Sequence, residues 1–381
     1  MKVVIAPQGF KGSLTALEVA HAIESGVRRA ASDAVTVVVP VADGGDGTLQ
    51  ALVDSSGGRI VTSRVTDPLG RPIDAQWGSM GDGRTAVIEM ARSSGLALLR
   101  ADERDPLRTT TYGVGELFRA ALEAGHRKFI VGIGGSATND GGAGFAQALG
   151  FRLLDSRGRE LERGGAALAT LDRIDASGVD PRVKDVDVVV ACDVNNPLCG
   201  STGASAIFGP QKGASPAMVA QLDAALGHFA DVVRRDLGMD VRERPGAGAA
   251  GGLGAGLMAF VGAELRAGVD IVLEAVKLDR ELDGADMVIT GEGQIDRSTV
   301  FNKAPVGVAR LAKKRGIPVI AIAGSLGEGY EQTHALGIDA AFSLVNGPMS
   351  LDAAMGGGAR LIERAAEEAM RAILTGRGMR R

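Results

Sequence analysis

The chain has 381 residues, 45% of them apolar and 23% charged, which is more length than one ordinary core uses, so two domains are expected. A net charge of −4 with no basic arm excludes a nucleic-acid backbone as the natural partner; an anionic small molecule would need locally placed Lys, Arg or metal. The two cysteines, Cys192 and Cys199, match neither a CxxC pair nor a zinc knuckle and fit a reducing, cytoplasmic setting.

The opening MKVVIAPQGFKGS has an apolar run too short for a signal peptide. KVVIAP reads as a strand, followed by an amphipathic helix with Leu14, Leu17, Ala20, Ala22 and Ile23 at helical spacing, Ser13 as its cap and Glu18 in its early turns. VTVVVP is a second strand, ending in the loop VADGGDGT that opens the helix TLQALVDSS. This βαβα order specifies a parallel sheet covered by helices.

Residues 59–90 then alternate with period two around PLG and GDGR, the pattern of an antiparallel meander. A helical stretch near Thr110–Ala124, the strand FIVGI and the strand VDVVVACD follow. Gly246 to Ala263 carries no charge and approaches membrane-spanning length. Seven of its residues are glycine, each costing about 1 kcal/mol of helix propensity relative to alanine. It reads as a Gly-rich turn entering a buried helix, and no membrane association is expected.

The opening grammar returns at the C-terminus. DMVITGEG is a strand with a Gly-rich exit, a helix is expected from about Pro305 to Lys314, IPVIAIAGS and AAFSLV are further strands, and one long helix runs from Leu351 to Leu374. Two strands from the start and three from the end make a five-stranded parallel sheet of flavodoxin-like count. The expected class is therefore α/β with two domains: a discontinuous flavodoxin-like domain, residues 1–64 plus 276–381, and a mixed α/β domain, residues 65–275, inserted into it.

The P-loop pattern GxxxxGK[ST] does not occur. GAGAAG at Gly246–Gly251 matches GxGxxG, with Asp270 beyond it, but the charged VRERP precedes it in place of a strand, so a nicotinamide or flavin reading lacks its strand–turn–helix context. Four other sites each place a Gly-rich polar turn after an apolar strand: ADGGDGT, GIGGSATNDGG, CDVNNPLCG with FGPQKGAS after it, and TGEGQID. Glycine lets main-chain N–H groups close around a ligand, and a helix N-terminus adds partial positive charge, so such turns suit phosphate or carboxylate. Asp43, Asp46, Asp140, Asp193, Glu292 and Asp296 would repel a phosphate unless a divalent cation intervenes, and Mg²⁺ on one or two carboxylates is the common solution. Lys11, Lys212 and Lys303 supply positive charge from short Gly- or Pro-marked loops. The four histidines form no HxH or HExxH pattern, which disfavours zinc chemistry and a Ser-His-Asp triad and leaves a carboxylate as the general base. That suits phosphoryl transfer to a hydroxyl.

APQGFKGSL, PVADGGDGT, GIGGSATNDGGAG, ACDVNNPL, FGPQKGAS, PGAGAAGGLGAG and VITGEGQID together closely resemble the glycerate kinase type-1 family, nearly end to end. The resemblance implies ATP-dependent phosphorylation of glycerate, usually at the 2-hydroxyl, giving 2-phosphoglycerate, on two α/β domains with the active site in the cleft between them. Alternatives are phosphorylation at the 3-hydroxyl or of another small hydroxy acid, and a non-catalytic nucleotide or anion sensor on the same scaffold. Under this reading Gly134, Gly135 and Ser136, with Asn139 and Lys212, hold the phosphates of ATP. Mg²⁺ lies on Asp43 or Asp46, with Glu292 and Asp296 as further candidate ligands. Lys11 or Lys303 pairs with the glycerate carboxylate, Lys11 being also a catalytic candidate; Ser13 and Asn195 contact substrate, and Asp193 is the base. The chain departs from the family where Asp-Ser is usual and Gln8-Gly9 stands, and again at Ser298 (usually Gln) and Asn302 (usually Gly).

Overall fold

The computed structural model describes residues 1–45, 47–301 and 303–379; the expected metal ligand Asp46 and the departure at Asn302 lie outside the described residues. In chain order the strands are β1 (Lys2–Pro7), β2 (Val35–Val38), β3 (Arg59–Thr66), β4 (Pro72–Ser79), β5 (Thr85–Glu89), β6 (Lys128–Gly132), β7 (Arg152–Leu154), β8 (Arg173–Asp175), β9 (Asp187–Ala191), β10 (Glu264–Arg266), β11 (Met287–Ile295), β12 (Val319–Leu326) and β13 (Ala340–Ser343). The chain divides into two compact units. Met1–Asp43, Gln50–Ser56 and Val269–Arg381 form the first, and Gly44–Leu49 with Gly57–Gly268 the second.

In the first unit five parallel strands run in the order β2-β1-β11-β12-β13. Val3 to Ala6 are fully buried, as a strand covered on both faces requires. The chain leaves β1 toward β2 on one side, while β11 leads to β12 and β13 on the other. The strand order therefore reverses between β1 and β11, the place where open α/β sheets bind ligands, beyond the carboxyl ends of the strands.

The first helix, Ala16–Ala30, is capped by Thr15 and not by Ser13. The Glu18 N–H donates to Thr15 Oγ1 at 3.2 Å and the Thr15 N–H to the Glu18 carboxylate at 2.8 Å, a reciprocal capping box. The single C-terminal helix expected from Leu351 is two, Leu351–Gly356 and Gly358–Met379. Three consecutive glycines, Gly356 to Gly358, lower helix propensity at the break. Gly26 lets the first and last helices approach, since a Cβ there would lie 2.2 Å from the Glu363 carbonyl oxygen.

The second unit holds a mixed sheet, order β10-β9-β6-β5-β4-β3. β10, β9, β6 and β5 are parallel, and β4 and β3 continue as the antiparallel meander. β3 pairs with β4 along its whole length, from Arg59↔Ser79 to Thr66↔Pro72, and so lies with this unit. The short strands β7, β8 and β10, three residues each, carry too little periodicity to read from sequence. The uncharged stretch from Gly246 leads into a helix, Ala249–Val261, inside the core of this unit. Among the described residues no helix is long and apolar enough to cross a membrane.

Candidate active site

In the second unit the turns after β6 and β9, two neighbouring parallel strands, come side by side. The first is Ile133–Asp140. Gly134 and Gly135 are exposed, and a Cβ on Gly134 would meet nothing within 4 Å, so its main chain faces open space. Gly135 has φ +71°, a conformation a side chain would strain. The turn is fixed from behind: the Leu96 N–H donates to the Gly135 carbonyl at 2.8 Å and the Ala137 N–H to the Ser94 carbonyl at 2.9 Å.

The polar side chains of this turn point inward. Thr138, Asn139 and Asp140 are fully buried. Asp140 accepts hydrogen bonds from the Thr111 N–H (2.8 Å), the Thr111 hydroxyl (2.9 Å) and the Gly142 and Gly144 N–H groups (both 3.2 Å). Burial raises its pKa against those bonds. Lys212 ends the short helical turn Pro210–Lys212, is 1% exposed, and donates from Nζ to the Thr138 carbonyl at 2.7 Å. Burial pushes the Lys212 ammonium down to about 7, with Asp140 pulling the other way.

A cavity of about 470 Å³ opens onto Gly134, Gly135 and Ser136, and Asp193, from the turn after β9, lines it as well. Asp193 is exposed and its Oδ1 accepts from the Gly268 N–H at 3.0 Å. A third turn supports the first: the Gly141 N–H donates to the Gly251 carbonyl at 3.0 Å. A Cβ on Gly251 would lie 1.9 Å from the Thr138 carbonyl oxygen.

In the first unit Glu292 lies on β11 beside the strand-order reversal and is 7% exposed. Thr299 Oγ1 donates to Glu292 Oε1 at 2.7 Å, and Lys303 Nζ lies 3.6 Å from Oε2. Burial pushes the Glu292 carboxyl up to about 7; the Thr299 hydroxyl and Lys303 oppose the shift, and the charge of Asp43 adds to it. The Phe10–Lys11 backbone passes over Gly293, 3.7–3.8 Å from where a Cβ would stand. A buried carboxyl whose ionisation is opposed by a second carboxylate is a site that a cation would stabilise, so Asp43 and Glu292 fit Mg²⁺ in chemical type. Among the described residues no cluster of three or more His, Cys, Asp or Glu is grouped to hold a metal.

The sequence model of the glycerate kinase family matches residues 3–374. The chain belongs to the glycerate kinase family. It is 54% identical to the glycerate kinase of Halalkalibacterium halodurans over 96% of each chain. It is also 54% identical to the glycerate 2-kinase of Escherichia coli over 94% of each. A crystal structure from Salmonella typhimurium LT2, of a protein assigned provisionally as glycerate kinase 2, shares 50% identity, 99% of each chain and a TM-score of 0.93. The chain is thus an enzyme, a kinase of this family with its two α/β units.

Within that glycerate kinase frame several sequence expectations change. Lys212 is not a loop cation reaching outward but a buried brace under the turn, because its short helix packs beneath Thr138. Asn139 likewise turns inward, donating to Ser205 Oγ at 3.0 Å. Asp296 organises its own turn: Oδ1 accepts from the Ser298 N–H (2.7 Å) and hydroxyl (2.6 Å), and Oδ2 from Gln294 Nε2 (3.1 Å). Ser13 donates to the Met355 carbonyl at 3.1 Å, tying its loop to the helix Leu351–Gly356. Lys11 and Asn195 are exposed, each on a loop that follows a strand. The supporting threonines went unread from sequence: Thr110 and Thr111 are fully or nearly fully buried and hold Asp140. The triplet Thr109–Thr111 was their only signal.

Proposed function

We propose that this kinase transfers the terminal phosphoryl group of ATP to the 2-hydroxyl of glycerate, giving 2-phosphoglycerate and ADP. The observation that carries the reading is the cavity shared by the bare Gly134–Gly135 main chain and the Asp193 carboxylate. Main-chain N–H groups of this turn donate to phosphate oxygens, and fixing the turn beforehand lowers the cost of ordering it on binding. Asp193 accepts the hydroxyl proton as the alcohol attacks phosphorus. In the first unit Lys303, with Lys11, pairs with the glycerate carboxylate. Asp43 and Glu292 are the residues that would hold Mg²⁺, whose chemistry is to neutralise charge on the phosphates. The naming of the Escherichia coli relative as a glycerate 2-kinase supports the 2-position.

Phosphorus NMR of the product formed from ATP, Mg²⁺ and D- or L-glycerate tests the reading. A phosphoester coupled to a single proton is the expected result. A signal coupled to a methylene pair moves the reaction to the 3-hydroxyl, and ATP consumption that ignores glycerate removes the substrate.

A further inference from the structure

Glycerate is polar at every carbon, yet much of the cavity in the second unit is apolar. Leu96, Ile133, Val194, Phe208 and Ala250 line it, and among its described lining residues Asp193 is the only charged one. None of these lining residues offers a carboxylate a cation. ATP has one flat apolar part, its base, and a cavity of about 470 Å³ falls within the range of small-molecule sites.

Ala250 adds an independent observation. Ala250, Gly251 and Gly252 are three consecutive left-handed residues, with φ of 54°, 70° and 89°. The two glycines are forced, since a Cβ on Gly251 would strike the Thr138 carbonyl and one on Gly252 would lie 2.8 Å from the Gly141 Cα. Ala250 keeps its methyl at a backbone cost of about 1–2 kcal/mol, and Ala250 lines the cavity. Strain retained at a cavity wall is a mark of a ligand contact.

We infer that this cavity is the nucleotide's base site: the purine ring stacks on Phe208 between Leu96 and Ala250, and the exposed amide of Gln211 reads its edge. Gln211 lines the same cavity, and a carboxamide offers the donor and acceptor that match the amino group and ring nitrogen of adenine. The inference rests on the ATP reading above and extends it from the phosphates to the base.

Calorimetric titration of the full chain with ADP and with inorganic tripolyphosphate, which has no base, tests it. Stacking is worth about 1–3 kcal/mol per base, so Phe208→Ala should weaken ADP by roughly 5- to 150-fold and leave tripolyphosphate within about twofold. Gln211→Ala, on an exposed residue, should narrow the preference for ADP over GDP several-fold, and Ala250→Gly, which relieves strain, should weaken ADP several-fold without lowering Tm. ADP affinity unchanged in all three folded variants overturns the base site, as does equal loss of ADP and tripolyphosphate. If Phe208→Ala does not fold, Gln211→Ala and Ala250→Gly decide between the same two results. Parent protein that binds tripolyphosphate but not ADP also overturns the base site, whereas parent protein that binds neither brings down the ATP reading itself.

Discussion

In the second unit the candidate site is built from main chain. Gly134 and Gly135 face the cavity bare, and the side chains of Thr138, Asn139, Asp140 and Lys212 lie underneath as internal bracing. The first unit holds a candidate cluster built from side chains, with Glu292, Lys303 and Asp43 interacting where the strand order reverses. A main-chain site presents fixed donors that do not titrate, and it is damaged by anything that adds a Cβ or loosens its support. A side-chain site can change charge, so it carries pH dependence and tolerates backbone change better. The two regions should therefore fail in different ways when altered.

Asp193 is the exception in the second unit, a titratable side chain in a cavity otherwise free of described charges, and it should show the largest effect. Asp193→Asn keeps the shape and removes the base, so kcat should fall by about 10²–10⁴ with little change in nucleotide affinity. Steady-state kinetics with ATP and glycerate checks this. A drop below roughly fivefold would take Asp193 out of the base role.

Two glycine variants sharpen the contrast between ligand-facing and bracing positions. Gly251→Ala drives a Cβ into the Thr138 carbonyl, 1.9 Å away, at a residue with φ +70°. It should cost about 3 kcal/mol or more, seen as a large fall in the urea midpoint. Gly134→Ala meets no protein atom within 4 Å and should leave the midpoint nearly unchanged. Its methyl instead stands where phosphate approaches. Loss of one charge-assisted hydrogen bond is worth about 1.5–3 kcal/mol, so nucleotide affinity should fall by roughly 10- to 150-fold. Equal stability losses in the two variants would show that both glycines serve folding alone.

Lys212 separates bracing from ligand binding by its titration. The folded chain holds this ammonium at about 7, below its ordinary 10.5. Between those values the unfolded chain binds the extra proton, so stability from this group rises with pH from about 7 to 10.5 and is lost as pH falls through 7. The slope approaches 1.4 kcal/mol per pH unit inside the window. Lys212→Met should flatten the rise in urea-derived stability between pH 7 and 9 relative to the parent. An unchanged slope would mean that Lys212 reaches solvent and stays charged, as a loop cation would.

The five parallel strands were legible because strands buried on both faces read as unbroken apolar runs, VVIA and MVIT among them; their order in the sheet was not. The glycine turns were legible for the same reason: a run such as IGGSATNDGGAG has few other uses. The direction of its polar side chains was not. Sequence shows that Thr138, Asn139 and Asp140 are polar, but only packing shows all three fully buried, with Asp140 bonded to Thr111 and Asn139 to Ser205. The burial of Lys212 is hidden for the same reason, since a lysine beside glycine and proline looks like a surface loop until the partner 74 residues away is seen. The cap moved two residues, from Ser13 to Thr15, because both hydroxyls precede apolar periodicity and only Thr15 has a glutamate three positions on.

Gln8 gives the smallest expected effect and tests whether the first unit behaves as a titrating site. It follows Pro7, which pairs with Gly291, so residue 8 stands one register step on, level with Glu292 at the carboxyl end of the sheet. Its N–H donates to the Gly291 carbonyl at 2.8 Å, and its buried Oε1 has no hydrogen-bond partner among the described residues. With Glu292 at about 7 and its ionised form the one that holds a cation, activity at limiting Mg²⁺ should fall as pH drops below 7. Glu292→Gln should remove that acid limb. Gln8→Asp adds a carboxylate level with Glu292, opposes its ionisation further, and should shift the limb upward by about half to one pH unit, a loss of roughly three- to tenfold below pH 7. A limb that stays in place in Gln8→Asp while vanishing in Glu292→Gln would show that residue 8 does not share the field of Glu292. A limb that survives Glu292→Gln assigns the titration to another group and takes Glu292 out of the pH dependence.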